Sequence, residues 1–494
     1  MTTRNALTFR HQGKTVRLTD IAPTMTVLDW LRFNRQLVGT KEGCGEGDCG
    51  ACTVALGRLR DGGLVYEPVN ACILLMGQLD GCELVTVEDL ARDGVLHAVQ
   101  QALVNHNGSQ CGFCTPGFVM SLFTLYHDGL AVGGDREAVL TRIAGNLCRC
   151  TGYRPIVEAG LEACAKPAND QFSKARDEIT AALKGLDDGE HLLVGNDESF
   201  FAAPASLDEL CALASRHPDA TLLGGATDVG LWVTKHLRIL PKIIHTGRVS
   251  ALHEVSMTPE CLVVGAAATY AEAESALASL DPDLAIWSNR LGSAQVRASG
   301  TIGGNIANGS PIGDSPPVLI ALGAQLTLRL GSAERTIPLE DFFIAYGRQD
   351  RAPGEVVVSV AVNRPGPADH VRAFKIAKRF DQDISAVMMG LKLTLDGRLI
   401  TGARIAFGGM AGTPKRATAT EAALIGLSID DAAGRSSALN HLSTDFTPLD
   451  DLRASARYRL RAARGLIEKA LIEIATGERG STRLAPVGGA THAA

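Results

Sequence analysis

Apolar and polar positions alternate through Leu7-Thr-Phe-Arg-His-Gln-Gly-Lys-Thr-Val-Arg-Leu18, with Gln12-Gly13 at the centre, which predicts a strand pair within residues 7–20. The period then changes. Thr26 stands where a helix cap belongs, and Val27-Leu-Asp-Trp-Leu-Arg-Phe-Asn-Arg-Gln-Leu37 carries apolar residues at helical spacing. A strand over residues 52–56 follows a glycine- and cysteine-rich loop, so residues 1–88 read as a small mixed α+β unit. Residues 89–165 are different in character: helices are predicted over 95–106, 117–128, 135–145 and 155–165, with Pro116 and Pro155 near helix starts. Periodicity weakens and charge rises over 166–195 (Lys174-Ala-Arg-Asp-Glu178, Lys184, Asp187-Asp-Gly-Glu190), which reads as a connector. In residues 196–370, Ser206 suits an N-cap with Asp208 and Glu209 in the first turn. A short apolar run then enters Gly224-Gly225. Residues 371–480 combine strands at 390–395 and 403–407 with later helices at 451–475, and 481–494 read as a tail.

A chain of 494 residues at roughly 150 per domain predicts about three domains. The composition, 46% hydrophobic and 21% charged, is that of a globular protein and excludes disorder or a fibre. Lys+Arg at 48 against Asp+Glu at 54 leaves a formal charge of -6, which argues against nucleic acid as a partner. No run approaches ~18 consecutive apolar residues, so a membrane span is not expected. The start of the sequence has no apolar stretch of signal-peptide length, so a cytoplasmic location is expected. In that compartment twelve cysteines point to metal or redox chemistry rather than disulfides.

Eight of them fall in two tight groups. Cys44, Cys49 and Cys52 with the more distant Cys72 follow C-x4-C-x2-C plus one, the plant-type arrangement for a [2Fe–2S] cluster. Four thiolates on two irons leave a net negative centre that needs backbone N–H groups turned towards sulfur, and Gly43, Gly45, Gly47 and Gly50 let the loop fold that way. A zinc site would more usually use two short C-x2-4-C knuckles. The second group, Cys111 and Cys114 with Cys148 and Cys150, is C-x2-C with C-x-C. In isolation it suits zinc or iron–sulfur, and a neighbouring redox cluster favours the latter. Cys82, Cys164, Cys211 and Cys261 show no ligand spacing and read as core residues. His97, His106 and the other histidines also lack ligand spacing and read as ordinary surface or core residues.

Two glycine-rich turns, Thr221-Leu-Leu-Gly-Gly-Ala-Thr-Asp-Val-Gly230 and Gly300-Thr-Ile-Gly-Gly-Asn-Ile-Ala-Asn-Gly309 followed by Ser310-Pro-Ile-Gly-Asp314, supply what a pyrophosphate-bearing cofactor requires: amides near phosphate with no intervening side chain. Neither is G-x-G-x-x-G in a βαβ unit, and no G-x-x-x-x-G-K-[ST] occurs, so the expected flavin site is neither Rossmann nor Walker.

Gly43-Cys-Gly-Glu-Gly-Asp-Cys-Gly-Ala-Cys-Thr-Val54, Cys111-Gly-Phe-Cys-Thr-Pro-Gly117 and Gly145-Asn-Leu-Cys-Arg-Cys-Thr-Gly-Tyr-Arg-Pro155 together resemble the iron–sulfur part of the xanthine dehydrogenase family of molybdenum hydroxylases. Thr301-Ile-Gly-Gly-Asn305, Ser310–Asp314, Phe374-Lys-Ile-Ala-Lys-Arg379 with Asp383-Ile384, and Phe407-Gly-Gly-Met410 resemble its FAD part. The resemblance implies an α+β multidomain chain. It would hold a β-grasp [2Fe–2S] ferredoxin domain (1–88), a four-helix [2Fe–2S] domain (89–165), a linker (166–195), a non-Rossmann α+β FAD-binding domain (196–370) and a small α/β C-terminal domain (371–480). It further implies FAD contacts at Leu222, Leu223, Gly224, Gly225, Ala226, Thr227, Asp228, Val229, Thr301, Ile302, Gly303, Gly304, Asn305, Asp314, Val357 and Lys375. Two positions depart from the family: Leu291 falls where an aromatic residue often stands near the flavin ring, and Gln382 where an acid often stands on a mobile loop.

The family's molybdopterin-binding part would need several hundred further residues. The resemblance therefore implies the small subunit of a split bacterial enzyme, partnered by a large molybdopterin-binding subunit in an (αβ)2 heterotetramer. Having iron–sulfur and flavin domains in one chain favours that type over carbon monoxide dehydrogenases. The expected function is electron transfer from the molybdenum cofactor through two [2Fe–2S] clusters to FAD and on to NAD+, with hypoxanthine and xanthine oxidised to urate, and no catalytic side chain in this chain is expected to act on the purine. Rival readings are the equivalent subunit for aldehydes or N-heterocycles, an NADH-oxidising flavoprotein without molybdenum, and a zinc-stabilised interaction module.

Overall fold

At Gln12 and Gly13 the φ angles are 51° and 72°. Both central positions are therefore left-handed, which matches the twist of a two-residue hairpin turn. The turn joins Leu7–His11 to Lys14–Leu18 in antiparallel register. The computed structural model in which this is seen describes residues 3–483. It divides into two units, residues 1–251 with Gly292–Gly300, and 252–291 with 301–494.

In the first unit the hairpin belongs to a five-stranded sheet, ordered Lys14–Leu18, Leu7–His11, Glu83–Val85, Thr53–Arg60, Gly63–Asn70. Leu7–His11 and Glu83–Val85 run parallel, and the remaining pairs are antiparallel. Thr26 caps the helix Val27–Asp29, its side chain accepting from the Asp29 amide. The helical run predicted to reach residue 37 is shorter, because it widens into a π-turn over Trp30–Asn34. The wide turn accommodates Trp30, buried edge-on against Phe9 with ring centroids 5.4 Å apart.

Four helices follow, Ala98–Asn105, Thr115–Asp128, Arg136–Ile143 and Arg154–Cys164. Thr115–Asp128 buries every residue from Gly117 to Tyr126, so it is the central helix of this layer rather than an amphipathic surface one. The stretch expected as a connector carries the helices Gln171–Lys174 and Arg176–Leu186. Ile179 and Leu183, one turn apart, are buried in the same core as the four helices. A second five-stranded sheet, ordered Thr3–Arg4, His191–Gly195, Phe200–Ala203, Lys242–His245, Thr221–Leu223, completes the unit. Its Leu192, Val194, Phe201, Leu223 and Ile243 share one apolar core with Cys52, Cys72 and Leu75 of the first sheet's region.

The second unit has an antiparallel sheet ordered Val255–Met257, Cys261–Gly265, Val356–Asn363, Gln325–Leu330, Ala333–Pro338. The glycine-rich stretch predicted as a turn is helical over Ile302–Asn308: Thr301 caps it by accepting from the Gly304 amide, and Gly309 ends it at φ 62°. A further antiparallel sheet, Asp369–Ile376, Val387–Asp396, Leu399–Gly408 and Lys415–Arg416, shares a core with the 21-residue helix Ala456–Thr476. Of the expected tail, Thr482 and Arg483 bond to Glu473, and Arg483 also bonds to Asp283; residues 484–494 lie outside the described residues. Among the described residues no helix is long and apolar enough to cross a membrane.

Candidate functional site

All twelve cysteines are free thiols. The loop between the π-turn and Thr53–Arg60 winds around one of them. The amides of Glu46, Asp48 and Cys49 donate to the Cys44 sulfur at 3.4, 3.3 and 3.3 Å, and the Cys44 amide donates to the Cys49 sulfur at 3.3 Å. Gly45, Gly47 and Gly50 make this winding possible with φ of 63°, 77° and 67°. Interactions with the thiols of Cys49 and Cys72, together with the Glu46 and Cys49 amides, hold the Cys44 thiol far below the ordinary cysteine range, while Cys49 and Cys72 are pushed up. The Cys72 thiol also interacts with that of Cys52, and both residues are buried. Neighbouring thiols with backbone amides already aimed at sulfur fit an iron–sulfur centre, whose negative charge those amides would stabilise. Asn70 holds the loop from behind, donating to the Gly47 carbonyl at 2.9 Å. Lys235 donates to the Cys44 carbonyl and lies 3.7 Å from Glu46. No motif marks either residue.

The second group is more open. Cys111 and Cys150 are exposed, and Cys114 and Cys148 half-buried. Cys114 sits at the N-terminus of Thr115–Asp128, and burial followed by the Cys148 thiol pushes it up to about 12. Burial works against ionisation of Cys148, but Thr151 and nearby amides outweigh it and lower its pKa. The Cys148 amide donates to the Tyr153 hydroxyl at 2.9 Å. Tyr153 itself stands at φ 69°, a strained setting for a bulky residue. The Cys111 thiol interacts with that of Cys150 and the Cys114 thiol with that of Cys148, which brings the C-x2-C and C-x-C pairs together. The remaining cysteines behave as core residues in part: Cys82, Cys164 and Cys211 are buried, with Cys164 pushed up to about 12 by burial, while Cys261 is half-buried.

The residues expected to touch a flavin fall on both units. In the first, Thr221–Leu223 is a strand with Leu223 fully buried, and Val229–Thr234 is a helix. Between them Ala226 is buried at φ 62°, and among the described residues the amides of Gly225, Ala226, Thr227, Asp228 and Val229 donate to no backbone carbonyl. A loop presenting amides around a left-handed residue is an anion cradle. Gly225 packs on Ser299 and Gly300 so closely that a Cβ there would lie 1.6 Å from the Ser299 carbonyl oxygen.

In the second unit Thr301 caps its helix, Ile302 and Val357 are buried in the core, and Gly303 packs on Ala266. The Gly304 amide donates to Thr301 Oγ1, Asn305 to the Thr301 carbonyl, Ile302 to that of Ala268 and Gly303 to that of Ala266, so this motif's amides are already partnered. Asn305 is the polar exception: its Oδ1 is buried without a hydrogen-bond partner among the described residues. Lys375 donates to Asp314 at 2.6 Å, and Ser385 donates to the other Asp314 oxygen at 2.6 Å. In the first unit, a loop whose amides meet no backbone carbonyl among the described residues fits an anionic group, and in the second, taken by itself, the buried Asn305 Oδ1 is an unsatisfied polar position. Leu291 is buried in the core, and Gln382 stands at φ 47° in the segment after Phe380, over whose ring the Arg290 guanidinium lies at 4.4 Å.

Two histidines converge on one carboxylate. His97 and His127 both place Nε2 on the same Asp170 oxygen, at 2.8 and 2.9 Å. A metal is disfavoured there, because His97 Nδ1 accepts from the Val99 amide. The ring proton is thereby placed on Nε2, where a metal would need a lone pair. The trio ties three helix starts and ends together as a structural clamp.

Four family models match in chain order: a 2Fe-2S iron-sulfur cluster binding domain over 9–76, a [2Fe-2S] binding domain over 86–161, an FAD binding domain in molybdopterin dehydrogenase over 197–365, and a CO dehydrogenase flavoprotein C-terminal domain over 372–474. The chain is 33% identical over 482 residues to xanthine dehydrogenase of Drosophila pseudoobscura pseudoobscura (86% of this chain, 36% of the relative) and 33% identical over 463 residues to xanthine dehydrogenase/oxidase of Mus musculus (83% and 34%). It thus spans about a third of the length of these relatives. Its fold matches a carbon monoxide dehydrogenase structure from Hydrogenophaga pseudoflava at 27% identity and TM-score 0.53, covering 55% of this chain and 95% of that one. It also matches quinoline 2-oxidoreductase from Pseudomonas putida 86 at 26% identity and TM-score 0.52, covering 57% and 98%. Two iron–sulfur regions followed by the two parts of a flavoprotein, in this order and on these residues, mean that the chain belongs to the molybdenum hydroxylase family, as its electron-transferring iron–sulfur and FAD portion.

Proposed function

We propose that this chain is the electron-transfer subunit of a xanthine dehydrogenase, working with a separate molybdopterin-binding subunit in an (αβ)2 assembly in the cytoplasm and delivering electrons to NAD+. The observation that carries the reading is the convergence of eight thiols into two quartets within one unit. Cys44, Cys49, Cys52 and Cys72 would hold one cluster, and Cys111, Cys114, Cys148 and Cys150 the other. Bound there, iron–sulfur groups exchange single electrons and a flavin exchanges pairs, the form a nicotinamide requires. The amides of Glu46, Asp48 and Cys49 stabilise negative charge on sulfur, and the amides of residues 225–229 suit a pyrophosphate. Asp314 holds Lys375 in place by accepting from its Nζ and accepts from Ser385 with its other oxygen. The identity to curated xanthine dehydrogenases favours hypoxanthine and xanthine as the partner's substrates. The likeness to quinoline 2-oxidoreductase and carbon monoxide dehydrogenase structures supports a second reading, the same role beside a subunit that oxidises another substrate.

The test is purification of the tagged chain from its native host. Copurification of a molybdenum-containing chain with xanthine-dependent NAD+ reduction is expected. A preparation that reduces NAD+ with another heterocycle or an aldehyde but not with xanthine selects the second reading, and a chain isolated alone and without iron overturns both.

A further inference from the structure

The two cysteine loops, far apart in sequence, are joined by their backbones: the Leu147 amide donates to the Cys49 carbonyl at 2.9 Å, so one hydrogen bond and one peptide unit separate Cys49 from Cys148. Beside this bond lies a buried polar knot. Asn146 Nδ2 donates to the Gly50 carbonyl at 3.0 Å and to Thr53 Oγ1 at 3.3 Å, while its Oδ1 accepts from Ser121 at 2.6 Å. Gln295 Nε2 donates into the same knot, reaching Thr53 Oγ1 and Ser121 Oγ at 3.1 Å and Asn146 Oδ1 at 3.2 Å. Thr53, Ser121, Asn146 and Gln295 are each at most 2% exposed.

Three glycines let the segments close to backbone contact. A Cβ on Gly50 would lie 2.2 Å from the Gly145 carbonyl oxygen, one on Gly117 2.2 Å from that of Gly50, and one on Gly145 2.1 Å from Gln295 Oε1. That oxygen is itself buried without a hydrogen-bond partner among the described residues. The helix bearing Gln295, Ala294–Ser299, ends on the carbonyl that packs against Gly225. One short element therefore touches both cysteine loops at its start and the amide cradle at its end.

A buried amide knot with an unmet acceptor is a poor way to gain stability, since apolar side chains of similar volume would fill the space without the desolvation cost. What it provides is register. We infer that Gln295 and Asn146 are positioning residues that fix the Cys49 and Cys148 loops against each other, and so set the electronic contact between the two redox centres those loops hold; this rests on the iron–sulfur reading above. Among the described residues neither hydrogen-bonds a cysteine sulfur; Asn146 acts through the Gly50 carbonyl, and Gln295 through the side chains of Thr53, Ser121 and Asn146.

The experiment compares the full-length wild-type chain with Gln295→Leu and Ser121→Ala, measuring iron and acid-labile sulfide, the magnetic splitting between the two reduced centres by electron paramagnetic resonance, and the rate of intramolecular electron exchange after a one-electron pulse. The expected result for Gln295→Leu is unchanged iron and sulfide, a weakened splitting, and exchange slowed by roughly tenfold or more, the usual scale for losing an outer-shell partner. Ser121→Ala removes two bonds of the knot but leaves those of Gln295 and Asn146 to Thr53, so it should give a smaller loss in the same direction, and this second variant decides the matter if Gln295→Leu fails to fold. Wild-type splitting and rate in variants with full iron overturn the positioning role while leaving the iron–sulfur reading standing. A wild-type chain that holds zinc in place of iron overturns both.

Discussion

Gly225→Ala adds one methyl group at the tightest backbone contact of the amide cradle. Its ideal Cβ lies 1.6 Å from the Ser299 carbonyl oxygen, 2.3 Å from the carbonyl carbon and 2.9 Å from Gly300 Cα. Non-bonded heavy atoms rest about 3.5 Å apart, so the two segments must separate by roughly 2 Å. All three obstructing atoms are backbone, and no side-chain rotation relieves the overlap. Gly225 is not in the left-handed region, so the whole penalty is steric. Overpacking a buried site by a methylene costs about 1–3 kcal/mol. A site walled by main chain belongs at the upper end, which weakens flavin retention by roughly 10²-fold if the displacement falls on the cradle. The assay is the FAD-to-protein ratio after gel filtration at decreasing protein concentration, with the Tm of the flavin-free chain measured beside it. Gly185→Ala serves as control: Gly185 lies in the helix Arg176–Leu186 with nothing within 4 Å of a Cβ, so stabilisation of about 0.5–1 kcal/mol and full flavin are expected. A Gly225→Ala chain that keeps flavin and Tm like the wild type refutes the packing argument.

Other perturbations have equally definite outcomes. Asp170→Asn removes the anion shared by His97 and His127 and should cost about 1–3 kcal/mol in the thermal stability of the chain. Burial opposes the charge of Asp170, yet the hydrogen bonds from His127 and His97 outweigh it and hold its pKa below the ordinary carboxylate range. With the folded pKa depressed, the stabilisation is full above the unfolded value near ~3.9 and fades as pH falls below it, so the Tm gap between wild type and variant should narrow from pH 6 towards pH 3. Lys375→Met strands the nearly buried Asp314 charge at a cost of about 3–5 kcal/mol; adding Asp314→Asn should recover much of the lost Tm, whereas equal Tm loss in single and double variants would contradict a charge origin. Glu473, fully buried, accepts from Arg372 at 2.7 Å and from Thr482 at 2.8 Å. Although burial opposes its charge, Arg483 and Thr482 bring its pKa down to about 2. Glu473→Gln should lower Tm at pH 7 and release the 479–483 segment to proteolysis, and an unchanged digestion pattern would speak against that anchor.

The sequence was most legible where chemistry demands local spacing. The Cys44, Cys49, Cys52 trio and the Cys111, Cys114 pair lie within one loop each, and the caps at Thr26 and Ser206 bond to the amides of Asp29 and Glu209. Long-range convergence left no such trace. His97, His127 and Asp170 are held together by a fold that brings separate helix ends to one point. Gln295 reaches Asn146 across 149 residues. The glycine-rich run after Gly300 suggested a phosphate turn, but the Thr301 cap and the bonds from Ile302 to Ala268 and from Gly303 to Ala266 spend its amides on a helix start. Ile179 and Leu183 were masked by the surrounding charge, although one turn of spacing was present to be read. The helix predicted through residue 37 was overridden by packing, since Trp30 against Phe9 selects a wider turn than propensity alone would.

The most direct measurement is the metal content of the full-length chain isolated without air. Two quartets of thiols built around amide-bonded sulfur require about four irons and four acid-labile sulfides per chain, with a visible spectrum that bleaches on reduction. Zinc at one or two equivalents, no sulfide and a colourless protein would contradict the account.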